Sequence, residues 1–174
     1  MIKSFLISTF ILLAFTIVES SILSNISFLY VVPDLVLICS VYFSLLNGKT
    51  YGELSGFVSG LFMDWITGIP FGFNCLYRTI AGYIFGLFND VIIITGFIMP
   101  MLSVGAATIL KTIFICIIGF LFPNVDVYVT GLISTEFLFE FIANIILAPF
   151  IFKLLDFFKG YICIISTNSR IDNV

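Results

Sequence analysis

Charged side chains inside stretches otherwise suited to a lipid bilayer are the residues of this chain with chemistry to offer. Asp34 follows Pro33 near the start of one apolar run, and Asp64 closes another. Arg78 and Lys111 fall within two more, and Glu136 and Glu140 within the last. A Lys, Arg or Asp at mid-bilayer costs roughly 2.5–3.5 kcal/mol on insertion scales, so each needs a partner, a cavity or the interface. Glu136, Glu140 and Asn144 recur every four residues and share one helix face. Lys111 precedes Pro123 by twelve residues, and Glu136 and Glu140 follow Asp126 by ten and fourteen, which puts all three at similar depth on antiparallel helices. A Lys111–Glu140 or Lys111–Glu136 pair would offset the insertion cost of both charges. Such a pair can be purely structural; it can also be a relay for protons or substrate, or a patch facing a partner.

Catalytic chemistry finds little else to use. The absence of histidine removes the zinc-protease motifs, imidazole acid–base catalysis and haem ligation by His. Cys39, Cys75, Cys116 and Cys163 are far apart, lie in or beside apolar runs and form no Cys-x-x-Cys, so they read as small apolar filler. A Ser or Thr nucleophile would need a lysine base, and Lys111 with Thr108 and Thr112 is not a recognised set. No enzyme activity, cofactor or metal is expected.

Small residues carry the second signal. Gly52, Gly56 and Gly60 are four apart and lead to Asp64, with Glu53 three helical turns earlier on the same face. A second row follows at the same step: Asn74, Arg78, Gly82 and Gly86. Small-residue stripes in membrane sequences let helix backbones approach closely. Two of them, each with a charge at its outer end, predict antiparallel packing of the two helices and an Asp64–Arg78 pair. The spacing leaves open whether a given stripe meets its own chain or another protein; Asp34 and Asp64 are the expected outward contacts.

The elements that must position these residues are membrane helices. The chain has 174 residues, 61% hydrophobic and 10% charged, against about 25% charged in soluble domains. Its mean hydropathy is +1.25. The net charge of −3 and the lack of a basic run argue against nucleic acid as a partner. Hydropathy and turn residues divide the chain into six spans of one transmembrane domain, 1–174, at about 2–18, 28–46, 51–66, 73–88, 98–122 and 128–155. Gly96 and Pro100 break the run before the fifth span, and Pro149 is a candidate interruption of the sixth. Lys3 before an apolar run resembles a signal peptide, but a poor cleavage site near Ser21 favours a retained helix. With the N-terminus inside, Lys3, Lys49, Lys153, Lys159 and Arg170 fall on the cytoplasmic side. Glu19, Asp34, Asp64 and Asp126 fall outside without a single Lys or Arg. The positive-inside rule therefore predicts six helices with both termini in the cytoplasm.

The stretch 32–86 resembles the MreD family, a small multi-span component of the bacterial cell-elongation machinery. The resemblance is carried by Pro33-Asp34-Leu35, then Gly48, Gly52, Gly56-Phe57, Gly60-Leu61 and Asp64, then Gly68, Gly72, Asn74, Tyr83 and Gly86. Asn144 to Pro149 is similar to the family's last span, whereas Glu136 and Glu140 match no family motif. The resemblance implies a non-catalytic scaffold in the inner (cytoplasmic) membrane that contacts MreC, a single-span protein. Through MreC it would connect MreB filaments to the peptidoglycan polymerase and transpeptidase and so support cell shape. It also implies a fold similar to the substrate-binding subunits of energy-coupling-factor transporters, which makes a vitamin-binding membrane subunit the alternative. For that role Trp65 and Asn74 are a thin pocket set, and Ser4 and Ser8 a thin small-residue motif on the first span.

Overall fold

The computed structural model describes residues 2–22, 31–91, 96–121 and 134–164, and all regular structure among them is helical. Helix α1 (Ile2–Ile17) runs into one π-helical turn (Val18–Ile22). It is followed by α2 (Leu35–Asn47), α3 (Lys49–Thr67), α4 (Phe73–Leu87), α5 (Ile98–Leu121), α6 (Thr135–Phe157) and the short α7 (Lys159–Ile162). Among the described residues three stretches are long and apolar enough to cross a membrane: Ile2–Ser21, Ile98–Leu121 and Thr135–Phe157. The predicted turn at Pro123–Asp126, the first residues of the sixth span and Arg170 lie outside the described residues.

Helix α2 forms the centre. Its residues from Leu35 to Leu45 are all buried, and it packs against α1, α3, α4, α5 and α6. The helix starts at Leu35, after the non-helical residues 31–34, for a local reason. Proline disfavours helical geometry in the residue before it and has no N–H to donate. Asp34 then caps the new helix, its carboxylate accepting from the Leu37 N–H at 2.8 Å. At about 1.5 Å per residue, thirteen residues reach only ~20 Å. The buried, non-helical Pro33 and Asp34 lie beyond its start, the kind of backbone that membrane proteins accept only inside protein or beside a cavity.

The α2–α3 turn is a single residue, Gly48, at φ +85°, where a side chain would be strained. Helices α3 and α4 form the tightest pair in the molecule. A Cβ on Gly52 would overlap the Gly82 carbonyl, one on Gly56 the Arg78 carbonyl, and one on Gly60 the Cys75 backbone. The reciprocal holds from α4: Gly82 abuts Gly52, and Gly86 abuts Lys49. The descending order of partners shows antiparallel packing with backbones in direct contact, and both glycine rows are spent on each other. Gly96, at φ +94°, stands just before α5. Pro149 lies within α6 without ending it, and that helix continues to Phe157, so the interruption considered there does not occur.

Four hydrogen bonds tie one end of the bundle together. Tyr51 on α3 donates to the Ser8 hydroxyl and the Ser4 carbonyl of α1. The Ile164 N–H donates to the Asn47 side chain at 2.8 Å. Asn89 donates to the Leu45 carbonyl.

Candidate functional site

At the opposite end, five elements meet at the start of α2. The first N–H groups of a helix lack internal partners and carry partial positive charge, so they attract carboxylates. Two come. Asp34 caps α2 from within the chain, and Glu19, on the π-helical turn, accepts from the Val36 N–H at 3.1 Å. The π turn, common at functional sites, lies where α1 ends and its Glu19 reaches α2.

Asp34 is 3% exposed and holds two cations. Arg78 of α4 reaches both carboxylate oxygens through Nη2, at 2.9 and 3.0 Å. Lys111 of α5 reaches Oδ2 at 2.9 Å and continues to Glu140 on α6. The Asp34 N–H donates to Asn144 Oδ1 at 2.9 Å, and the Asn144 amide donates to Thr108, which itself donates to the Val104 carbonyl. One aspartate thus connects α2 to α4, α5 and α6. In a low-dielectric interior, charge-assisted bonds of this kind are strong when complete and costly when broken.

Asp64 does different work. Its carboxylate accepts from the Gly72 N–H at 2.8 Å, the Asn74 N–H at 2.9 Å and the Asn74 side chain at 2.8 Å. It therefore anchors the first turn of α4, with Gly68 and Gly72 supplying the two left-handed residues of the connection. Tyr77 donates to the Asn74 side-chain Oδ1, and its ring lies 5.4 Å from the Arg78 guanidinium carbon.

These geometries correct several expectations. Arg78 pairs with Asp34, not Asp64, because the α3–α4 connection takes up Asp64's lone pairs and Pro33 delivers Asp34 into the bundle. Asp34 and Asp64 are buried rather than outward-facing, at 3% and 1% exposure. Of the two glutamates considered for Lys111, Glu140 makes the contact. Glu136 is exposed in the first turn of α6 and has no ion pair among the described residues. Pro33, Gly52, Gly56, Gly60, Gly82 and Gly86 all serve internal geometry. Glu19, placed in an outer loop by the sequence reading, is a buried member of the site. Its position directly after an apolar helix was the available signal, and the π turn that directs it inward has no sequence signature. Asn144 was visible as the third residue of the Glu136–Glu140 row and as the start of the stretch 144–149, in neither case with a partner assigned. Trp65 is 77% exposed, and the Asn74 amide is already engaged.

A cavity of about 420 Å³ adjoins the charge network. Met63, Phe73 and Ile115 give it an apolar side, while Glu19, Asp34, Tyr77, Arg78, Lys111 and Glu140 give it a polar one. Thr67 and Ile69 place it beside the α3–α4 connection.

A protein-family model described as rod shape-determining protein MreD matches residues 1–158. No curated protein matches the chain.

Proposed function

The chain belongs to the MreD family of rod shape-determining proteins, and from that membership we propose that it is a non-catalytic scaffold of the cell-elongation complex in the bacterial inner membrane. It crosses the membrane six times with both termini in the cytoplasm. Three helices have the length and hydropathy for crossing by themselves. Helices α2, α3 and α4 cross as well: α2 is buried at the centre, and α3 and α4, packed on it and on each other, keep apolar faces outward.

The observation that carries this reading, beside the family match, is how the network at Asp34 uses its charges. Both cations are paired with carboxylates that come from other helices. An arrangement of that kind holds four helices in fixed relation, which suits a frame on which other proteins assemble. The partner is an MreC-like single-span protein, through which MreB filaments and the peptidoglycan polymerase and transpeptidase are connected. Because the glycine rows meet each other, the partner contact falls elsewhere. The exposed residues Trp65, Ile66 and Phe71 at the α3–α4 connection offer an apolar surface at the outer end.

Affinity purification of the tagged chain from native membranes, with identification of what accompanies it, tests the proposal. An MreC-like protein is expected, and its recovery should fall severalfold for the double variant Trp65→Ala, Phe71→Ala. Recovery of no elongation-complex component, with cell shape unchanged in a strain lacking the chain, would end the scaffold reading.

A further inference from the structure

The cavity beside Asp34 is too large to be a packing defect, and charged side chains line one side of it. At ~30 Å³ of liquid volume per water molecule it holds a cluster of waters or a small organic group. Two observations describe what it favours. First, Arg78 is buried and spends only Nη2 on Asp34, while its Nε and Nη1 have no acceptor. A buried guanidinium with donors unused calls for acceptor oxygens. Second, three carboxylates (Glu19, Asp34, Glu140) face two cations (Arg78, Lys111) on the polar side. Glu19 uses one oxygen on the Val36 N–H and Glu140 one on Lys111. The excess of carboxylate calls for a cation with N–H donors.

We propose that this cavity is a binding site for a zwitterion that carries a primary ammonium beside phosphate or carboxylate oxygens. The oxygens meet Arg78, the ammonium meets Glu19 and Glu140, and an apolar remainder lies against Met63, Phe73 and Ile115. Two sources supply this chemistry: a phosphoethanolamine lipid headgroup entering from the bilayer, or a free zwitterionic solute. The site does not depend on the scaffold reading, since it rests on the cavity and its unused hydrogen-bonding groups.

Binding to the full chain in detergent, read by native mass spectrometry, tests it. The probes are dioctanoyl phosphatidylethanolamine, dioctanoyl phosphatidylcholine, dioctanoyl phosphatidylglycerol and free phosphoethanolamine. The ethanolamine lipid is expected to bind at least tenfold more tightly than the choline lipid, which lacks N–H donors, and the glycerol lipid, which lacks the cation. Free phosphoethanolamine binding as well as the lipid supports the site with a soluble source; weaker binding supports it with a lipid source. Ile115→Phe fills the apolar side and should reduce ethanolamine-lipid binding at least tenfold with unchanged helix content. Glu19→Gln keeps an acceptor for the Val36 N–H and should erase the ethanolamine-over-choline preference, which decides the matter if Ile115→Phe does not fold. Equal affinity for all headgroups, retention of the preference in Glu19→Gln, or a cavity that takes up water only would overturn the proposal.

Discussion

Asp34 faces two cations, and its replacement should cost more than that of any other single carboxylate in the bundle. Asparagine at that position keeps an oxygen for the Leu37 N–H but leaves Arg78 and Lys111 short of negative charge. Removing one partner of a buried ion pair typically costs about 3–5 kcal/mol, because the remaining charge stays buried without compensation. Asp34→Asn is therefore expected to lower the unfolding midpoint in detergent strongly, or to abolish recovery of folded protein; a wild-type midpoint would show the network to be energetically idle. Glu140 and Glu136 make a sharper contrast, four residues apart on one helix. Glu140→Gln should destabilise measurably and should couple to Lys111→Met in a double-mutant cycle by ~0.5–3 kcal/mol. Glu136→Gln, at an exposed position, should stay within about 0.5 kcal/mol of wild type. Coupling of Lys111 to Glu136 instead would reverse the pairing seen here.

Helices α3 and α4 pack as closely as they do because at each crossing point at least one residue lacks a side chain: Gly52 with Gly82, Gly56 against Arg78, Gly60 against Cys75 and Gly86 against Lys49. A single methyl on Gly56 would overlap the Arg78 carbonyl, and backbone cannot yield as a flexible side chain can. Gly56→Ala and Gly60→Ala are each expected to separate the pair, reported as lost folded yield, and Gly56→Leu to do so completely. Gly160, in α7 with nothing near its added Cβ, should accept alanine without loss. Equal tolerance at Gly56 and Gly160 would mean that the close crossing is not maintained. This packing was legible in the sequence, since four-residue spacing is a property of one helix and needs no knowledge of its neighbours. The Lys111–Glu140 contact was legible to within one helical turn, because depth along antiparallel spans can be counted from the turn between them. The partner of Arg78 was not, because choosing Asp34 over Asp64 depends on where α2 begins and on the α3–α4 connection consuming Asp64. Both are decisions of backbone geometry around Pro33, Gly68 and Gly72 that hydropathy does not register. Glu19 was missed for the same kind of reason: a π turn redirects one residue without altering the apolar pattern.

At the scale of the whole molecule, most polar contacts between elements among the described residues gather at two ends, and the sorting bears on orientation. Ser4, Asn47 and Ile164 are tied into one end, alongside Lys49 and the Lys159 helix. Glu19, Asp34, Gly72 and Asn74 gather at the other with the cavity. Among the described residues, the cations without buried partners thus share an end, as positive-inside placement requires, while Arg78 and Lys111 are held by carboxylates at the opposite end. Orientation follows as a testable statement about two positions. In a background where Cys39, Cys75, Cys116 and Cys163 are replaced by alanine or serine, Thr67→Cys should react with a membrane-impermeant maleimide in intact spheroplasts. Lys159→Cys should react only after permeabilisation, and Lys3→Cys should behave like Lys159→Cys. Labelling of Lys159→Cys and Lys3→Cys from outside with Thr67→Cys protected would invert the molecule. Opposite behaviour of Lys3→Cys and Lys159→Cys would require an odd number of crossings. In that case one of the short helices, α2 before all others with its ~20 Å length, would enter the bundle without traversing it, and the Asp34 network would lie within the membrane rather than near its outer face.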